Sequence, residues 1–496
     1  MQRTQGLSLD DLSDAELAAV FRAVPAAQHT RLASVCRRWR AICTGGDVWP
    51  DAVLKSDRLR DNGPMYAWFQ ERRGPLHTLT LVMGQVWSWH LLPSPCTWGP
   101  LHMVLGLLGD TLRHLTVIGD VQAPNRDPSL AWLVVLRGLR SLWLDYTRSH
   151  GVAACAVYPS GLTELTLRYK RGASDHLHGL PPGLSRLTAL RALRANSLRV
   201  DSGGMPVIPA GDHPLEPIRG LAALELLDVR SSTLGSLPAW LPQHSRLTAL
   251  CLAGCRRSRY AHTLPIEHIE VVVGLPALRA LDLRHCRVAE LPPLLAGLTA
   301  LRVLLLSHNR LAALPEGPYL ERLERLGLGG NTFSSLPQAL LACTTLQQLG
   351  LASDPAMHPG AMLSLESRAL RSLLSSTPGL RELCLHRGSL PSGVPARLRA
   401  SFPQAQVLLL GPGEQSPDDR IFGSICAWQT QWDGSSDDLW DTDEQSSGSD
   451  DSHSSSDSDS DDSDSSSSSS SGGSDEDTSS SDDSESSSSS SDSEDA

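Results

Sequence analysis

Residues 278–337 read LRALDLRHCRVAELPPLLAGLTALRVLLLSHNRLAALPEGPYLERLERLGLGGNTFSSLP. Leu278, Leu281 and Leu283 stand in L-x-x-L-x-L spacing, which returns at Leu301, Leu304, Leu306 and at Leu323, Leu326, Leu328. Three residues after each third leucine come Cys286, Asn309 and Asn331, and each unit closes on Leu-Pro, at Leu291, Leu314 and Leu336. The first leucines lie 23 and then 22 residues apart. Four features recurring together at one nearly fixed period mark an internal repeat.

The spacing has a physical reading. L-x-L alternates, so it is a short strand with its leucines on one face. The Asn or Cys marks the turn out of the strand, where its side chain satisfies buried backbone groups between stacked turns. The Leu-Pro step begins the return on the other side. One unit cannot bury its leucines alone, whereas stacked units share a continuous core. This is the pattern of leucine-rich repeats. The expected fold class is α/β: an N-terminal helical module, a leucine-rich-repeat solenoid with a curved parallel sheet on its concave face, and a disordered acidic C-terminal tail.

Outward from the centre, further units start at Leu112, Leu139, Leu162, Leu224, Leu247, Leu346 and Leu380. A weak first unit holds Leu76, Leu79 and Leu81, a blurred one lies near Leu190, and a marginal last one has Ala405, Leu408 and Leu410. About 13 units therefore span residues 74–412. The spacing widens between Leu190 and Leu224, where residues 202–217 are rich in Gly and Pro and are expected to loop out, and again between Leu346 and Leu380.

By alternation, the other strand positions face outward on the concave side. Trp143, Asp145, Arg168, Asp228, Arg230, Asp282, Arg284 and Leu305 are the candidate partner-binding residues there. Arg168, Arg230 and Arg284 share one column of the repeat. The column reads either as a binding face for a protein with acidic groups or as a solvated strand surface with ordinary charge pairs. Small residues on the same side (Ala249, Cys251, Ala253, Gly327, Gly329, Gly350 and Ala352) read either as room for a partner's backbone to approach or as loose constraint. Cys255 and Cys286 hold the Asn place of their units and are read as structural. Cys251 and Cys255 are four apart, but no His or further Cys pair completes a zinc set, so no metal is expected.

The first fifty residues are organised differently. Leu17, Val20, Phe21 and Val24 fall at i, i+3, i+4 and i+7, a helical stripe, and Ser13 with Glu16 forms a capping box at its start. A second helix is expected with Leu32, Val35, Cys36, Trp39 and Cys43 on one face, ended by Gly45-Gly46. Val48 and Trp49 follow.

Residues 7–51 resemble an F-box. Leu12, Leu17, Val20, Phe21, Val24 and Pro25, then Leu32, then the run VCRRWR from Val35 to Arg40, and finally Val48 and Trp49 stand at that family's places. Ser13 stands where the family usually has Pro, and Ala15-Glu16 where it has Glu-Leu. The resemblance covers about a tenth of the chain. It implies a helical docking module that binds a Skp-family adaptor, and through it the cullin and RING subunits of an SCF-type ubiquitin ligase. The adaptor-binding residues it implies are Leu12, Leu17, Val20, Phe21, Pro25, Leu32, Val35, Cys36, Trp39 and Trp49. Read without the resemblance, the same residues make a helical hairpin capping the solenoid. Residues 52–73 are taken as a connector.

The chain has 496 residues, 40% of them hydrophobic but only 5% aromatic, so leucine must supply much of the core. Ten scattered cysteines without a C-x-x-C pair, and no apolar run within residues 1–11, suggest reduced thiols and an intracellular protein, cytoplasmic or nuclear. No stretch approaches the ~20 apolar residues of a membrane helix. Neither a membrane nor a nucleic-acid partner is expected. The chain lacks G-x-x-x-x-G-K-[ST], H-E-x-x-H and G-x-S-x-G. No catalytic residue and no cofactor are expected, and the chain is read as a non-enzyme.

The net charge of −12 is an average of two unlike parts. From Asp433 onward there are 22 of the 55 acidic residues and none of the 43 Lys and Arg. Such a Ser/Asp/Glu segment, residues 433–496, cannot bury enough surface to offset chain entropy. Ser435, Ser454, Ser456 and Ser474 each precede an acid by three residues and are candidate phosphorylation sites of acidophilic kinases; the plain alternative is a solubilising tail. The tail is also expected to fold back over the basic body and compete with an acidic substrate. Trp428 and Trp432 in the flank at residues 413–432, and Trp440 beyond it, suit either docking on the last repeat or a short partner-binding motif. The function implied is substrate receptor of a ubiquitin ligase, the target protein being unidentified; the alternative is a repeat scaffold or signalling regulator without ubiquitin transfer.

Overall fold

The computed structural model describes residues 9, 12–24, 29–44, 51–55, 70, 76–82, 105–118, 130–146, 157–169, 179–196, 198, 201–202, 205–206, 213–255, 266–352, 367–386 and 406–410. The chain divides into two units, Met1–Ser436 and Asp437–Ala496, and every described residue belongs to the first. Ser435, Ser454, Ser456, Ser474, Trp428, Trp432 and Trp440 lie outside the described residues, as does the whole acidic tail.

Sixteen strands are described: β1 (Asp51–Lys55), β2 (Thr78–Val82), β3 (His114–Ile118), β4 (Ser141–Tyr146), β5 (Glu164–Tyr169), β6 (Ala192–Ala195), β7 (Asp201–Ser202), β8 (Met205–Pro206), β9 (Leu226–Asp228), β10 (Ala249–Cys251), β11 (Ala280–Asp282), β12 (Val303–Leu305), β13 (Arg325–Gly327), β14 (Gln348–Gly350), β15 (Glu382–His386) and β16 (Gln406–Leu410). Fourteen of them form one parallel sheet in chain order, with β7 and β8 set apart as an antiparallel pair. That pair begins at the edge of the stretch expected to loop out. The second widening holds a helix, Ser367–Ser376.

The repeat sets the register residue for residue. Leu281 pairs with Leu304, Leu304 with Leu326, and Leu326 with Leu349. The leucines of one face make a single buried core from Leu76 to Val407, each contributing about 1.5–3 kcal/mol of transfer free energy. The return segments are 3-10 turns such as Pro293–Gly297 and Pro318–Arg322. Proline suits their first positions because its φ is already helical and its missing N–H would be unpaired there.

Two expectations need correction. The sheet begins one strand earlier than the leucine pattern indicates: β1 pairs in parallel with β2, inside the stretch read as the connector at residues 52–73. Its sequence, DAVLK, lacks the leucine spacing. The second N-terminal helix is two, α2 (His29–Leu32) and α3 (Arg37–Thr44). The break falls where Cys36 Sγ accepts the Trp39 N–H at 3.4 Å, a cap that starts a new helix.

Candidate functional site

Two surfaces hold the residues singled out by the sequence. The first is the N-terminal helical module. The capping box forms: Ser13 Oγ accepts the Glu16 N–H and Glu16 Oε2 accepts the Ser13 N–H at 2.8 Å, which starts α1 (Asp14–Arg22). The Ser13 hydroxyl also donates to Glu16 Oε2 at 2.7 Å, and this bond, followed by the Ser13 N–H bond, holds the Glu16 carboxyl below the usual range. Leu17, Ala18, Phe21 and Cys43 form a small core of their own, with Leu12, Leu32, Trp39 and Ile42 half-buried around it. The Phe21 and Trp39 rings meet edge to face at 4.9 Å. Arg38 ties α3 to the start of α1 by pairing with Asp14 at 2.8 Å and donating to the Leu12 carbonyl.

Of the residues implied for adaptor binding, Leu17 and Phe21 thus face inward. Val20 at 43% and Val35 at 61% exposure, with Cys36, are on the surface. Pro25 and Trp49 lie outside the described residues.

The second surface is the sheet face opposite the leucine core. One row of side chains crosses it in register: Thr116, Trp143, Thr166, Arg194, Asp228, Cys251, Asp282, Leu305, Gly327, Gly350 and Cys384. The row changes character along its length. Thr116, Trp143 and Arg194 are half-exposed, whereas Asp228, Cys251, Asp282 and Leu305 are all 0% exposed. Ala249, Cys251, Ala253, Ala280, Val303 and Leu305 form an apolar cluster separate from the main core. The expectation of a solvated face therefore holds for Trp143 and Arg168, which are half-exposed, and fails for Asp228, Asp282, Arg284 and Leu305. Alternation assigns a residue to a face of the sheet; it does not say whether that face meets water. Asp145 lies on β4 in register with Arg168.

The charges in the buried stretch are paired within their own repeats, an Asp at the end of the strand with an Arg in the turn that follows. Arg230 spans both oxygens of Asp228, at 2.7 Å for Nη2, and Arg284 does the same to Asp282 at 2.8 Å. Each Asp also accepts the backbone N–H of its own Arg. Burial opposes the charge of Arg230, but Asp228, with Cys251 and Asp282 beyond it, raises its pKa well above the ordinary value. The Cys251 thiol lies between the pairs, 3.5 Å from Asp282 Oδ2. These arginines are neutralised from within and are not the free cations of a binding column.

The small residues have a different role from either reading. A Cβ on Gly329 would sit 1.9 Å from the Ala352 carbonyl oxygen, so this glycine admits the neighbouring repeat rather than a partner. Cys255 and Cys286 are structural, as expected. Their thiols donate to the Val229 and Leu252 carbonyls at 3.1 and 3.0 Å. Burial pushes the Cys286 thiol up to about 12, out of the range of a reactive thiolate.

Arg194 escaped the sequence reading because its unit is blurred: Ala195 stands where the third leucine belongs. The signal available was its place one residue after Leu193, which pairs with Leu165 and Leu227.

No group of His, Cys, Asp and Glu among the described residues is arranged to hold a metal ion. No helix among them is long and apolar enough to cross a membrane.

No family model matches the sequence, and no curated protein matches it. Solved structures do. A leucine-rich-repeat protein of Leptospira interrogans aligns over 79% of this chain and 97% of its own, at 18% identity and a TM-score of 0.43. An internalin of Listeria monocytogenes aligns over 81% of this chain and 89% of its own, at 15% identity and a TM-score of 0.39. The 22- to 23-residue period, the parallel register and the Asn and Cys turns between strands give this chain a leucine-rich-repeat fold.

Proposed function

We propose that the chain is the substrate-recognition subunit of an SCF-type ubiquitin ligase. The N-terminal helices bind a Skp-family adaptor, and through it the cullin and RING subunits, while the repeats bind the target protein. The chain contributes no reacting group, and the role places it inside the cell. One observation carries the reading. The helical module that bears VCRRWR closes its own core and still leaves Val20 and Val35 exposed, the apolar surface a helix-in-groove contact needs.

The test is binding of the full chain to a purified Skp-family adaptor. Val20→Glu/Val35→Glu changes the surface and spares the core, so it is expected to lower affinity by at least about tenfold with the helical signal intact. Leu17→Ala/Phe21→Ala removes the core itself and is expected to lose both. Absence of binding by the unaltered chain would sink the ligase reading and leave a repeat scaffold.

A further inference from the structure

Most of the row across the outer sheet face is buried, small or internally paired. Its open end is at β4 to β6, where Trp143 and Arg194 flank the buried Thr166. Arg194 differs from the other arginines of this face. Arg230 and Arg284 each have a carboxylate two residues earlier, at the last position of the preceding strand. Arg194 has Ala192 there. The carboxylate facing it in register, Asp228, is occupied through both oxygens by Arg230. The buried Nε of Arg194 has no hydrogen-bond partner. A buried donor left unpaired costs free energy, so the site favours an acceptor supplied from outside.

The charges around it are mixed. Arg168 is on the neighbouring strand β5, and Arg230 stands in the turn after β9, already paired with Asp228. Against these stand Asp228, already engaged, Asp145 in register with Arg168, and the exposed Glu164 near the start of β5.

We propose that Arg194 anchors an anionic side chain, carboxylate or phosphate, of a peptide laid across β4 to β6. The guanidinium fork matches either group in two parallel N–H···O bonds. Trp143 sits two strands away, about 10 Å at ordinary strand spacing, with its indole half-exposed. An extended peptide covers that distance in about three residues. The site thus selects an apolar residue and an acidic or phosphorylated residue three apart. This specifies the target-binding face on which the proposed function rests.

The experiment uses the full chain and three degenerate peptide pools that differ at one fixed position, which carries phosphoserine, glutamate or glutamine. Binding is read by fluorescence anisotropy. The anionic pools are expected to bind at least about tenfold tighter than the glutamine pool, and Arg194→Ala to weaken them about 10- to 100-fold. Arg194→Lys, which keeps the charge and loses the fork, is expected to recover part of that loss. Trp143→Ala is expected to erase enrichment of an apolar residue three positions from the fixed one. The phosphoserine and glutamate arms tell the two anions apart. Equal binding of all pools, or anionic binding unchanged in Arg194→Ala, overturns the anion site and leaves the partner-binding reading standing. Binding of no pool overturns both.

Discussion

Asn309 Oδ1 accepts the backbone N–H of Cys286 at 3.1 Å, and one amide side chain thereby joins two turns of the solenoid. The same oxygen accepts the Val288 N–H at 3.0 Å, and Nδ2 donates to the Leu283 and Leu306 carbonyls, both at 2.8 Å. Asn309→Ala leaves three buried backbone groups without a partner, since the Leu306 carbonyl keeps the Asn331 amide at 2.9 Å. At roughly 1–3 kcal/mol per orphaned group before relaxation, a net loss of about 3–4 kcal/mol is expected. Cys286→Ala loses only weak S–H bonding to the Leu252 and Arg284 carbonyls, and about 1 kcal/mol is expected. Urea midpoints at constant m-value measure both. Equal losses would deny the Asn its structural role.

The Asp282–Arg284 pair is nearly fully buried. Arg284→Met therefore strands a carboxylate, and about 3–5 kcal/mol is expected to be lost. Replacing both residues by apolar ones of similar volume is expected to cost far less, because the desolvation of both charges disappears with their attraction. The comparison is made by thermal unfolding of the single and double variants. A double variant as unstable as the single would show the pair to be a net stabiliser.

Much of this fold was legible in residues 278–337. Leucine spacing placed Leu281, Leu304 and Leu326 in register, and the Asn and Cys positions marked the turns they now satisfy. What was not legible has physical causes. β1 pairs through its backbone and needs no leucine pattern. The α2–α3 break depends on a thiol acting as a cap, a role Cys seldom signals. Of the candidate site, the Asp-x-Arg spacing was visible and left two readings open, a binding column or ordinary charge pairs; the pairs form, because two residues on, in the turn after the strand, is the distance at which a carboxylate reaches its own arginine. Arg194 was hidden by Ala195, and its importance comes from the missing partner, which no spacing shows.

The turn out of the strand takes a left-handed backbone in successive units, at Ser231, Gly254, His285, His308 and Gly330. The His285 and His308 rings stack there at 4.3 Å. At Gly330, φ is +66° and a Cβ would meet His308 Nδ1 at 2.7 Å. Gly330→Ala is expected to cost about 1–2 kcal/mol from the backbone and more from the contact. Gly297 lies in a return turn with nothing within 4 Å of its missing Cβ, and Gly297→Ala is expected to gain about 0.5 kcal/mol through the unfolded chain. Opposite signs in chemical unfolding are the expected outcome; equal signs would refute the assignment of strain to the left-handed turn.

Two histidines beside Trp240 make the solenoid acid-labile. His213 Nε2–H donates to the Ser236 carbonyl at 2.8 Å while Nδ1 accepts the Leu215 N–H at 3.1 Å. His244 Nδ1–H donates to the Leu221 carbonyl at 3.1 Å, and its buried Nε2 has no partner. Both rings are therefore neutral in the fold, and a second proton would break one bond at His213 and bury an unpaired N–H at His244. Burial lowers both pKa values from the ordinary 6.5, opposed at His213 by the Ser236 bond and the Glu216 charge, and at His244 by the Leu221 bond. Glu216 also accepts the Trp240 Nε1–H at 2.9 Å and pairs with Arg219. Because the folded state resists the proton and the unfolded chain accepts it near 6.5, their stabilising contribution is complete above about pH 6.5. It falls as the pH drops below that value, until the folded-state pKa values are reached. The urea midpoint is expected to decline as the pH falls below about 6.5. In His213→Gln/His244→Leu the decline is expected to shrink; an unchanged decline would assign acid sensitivity to other groups.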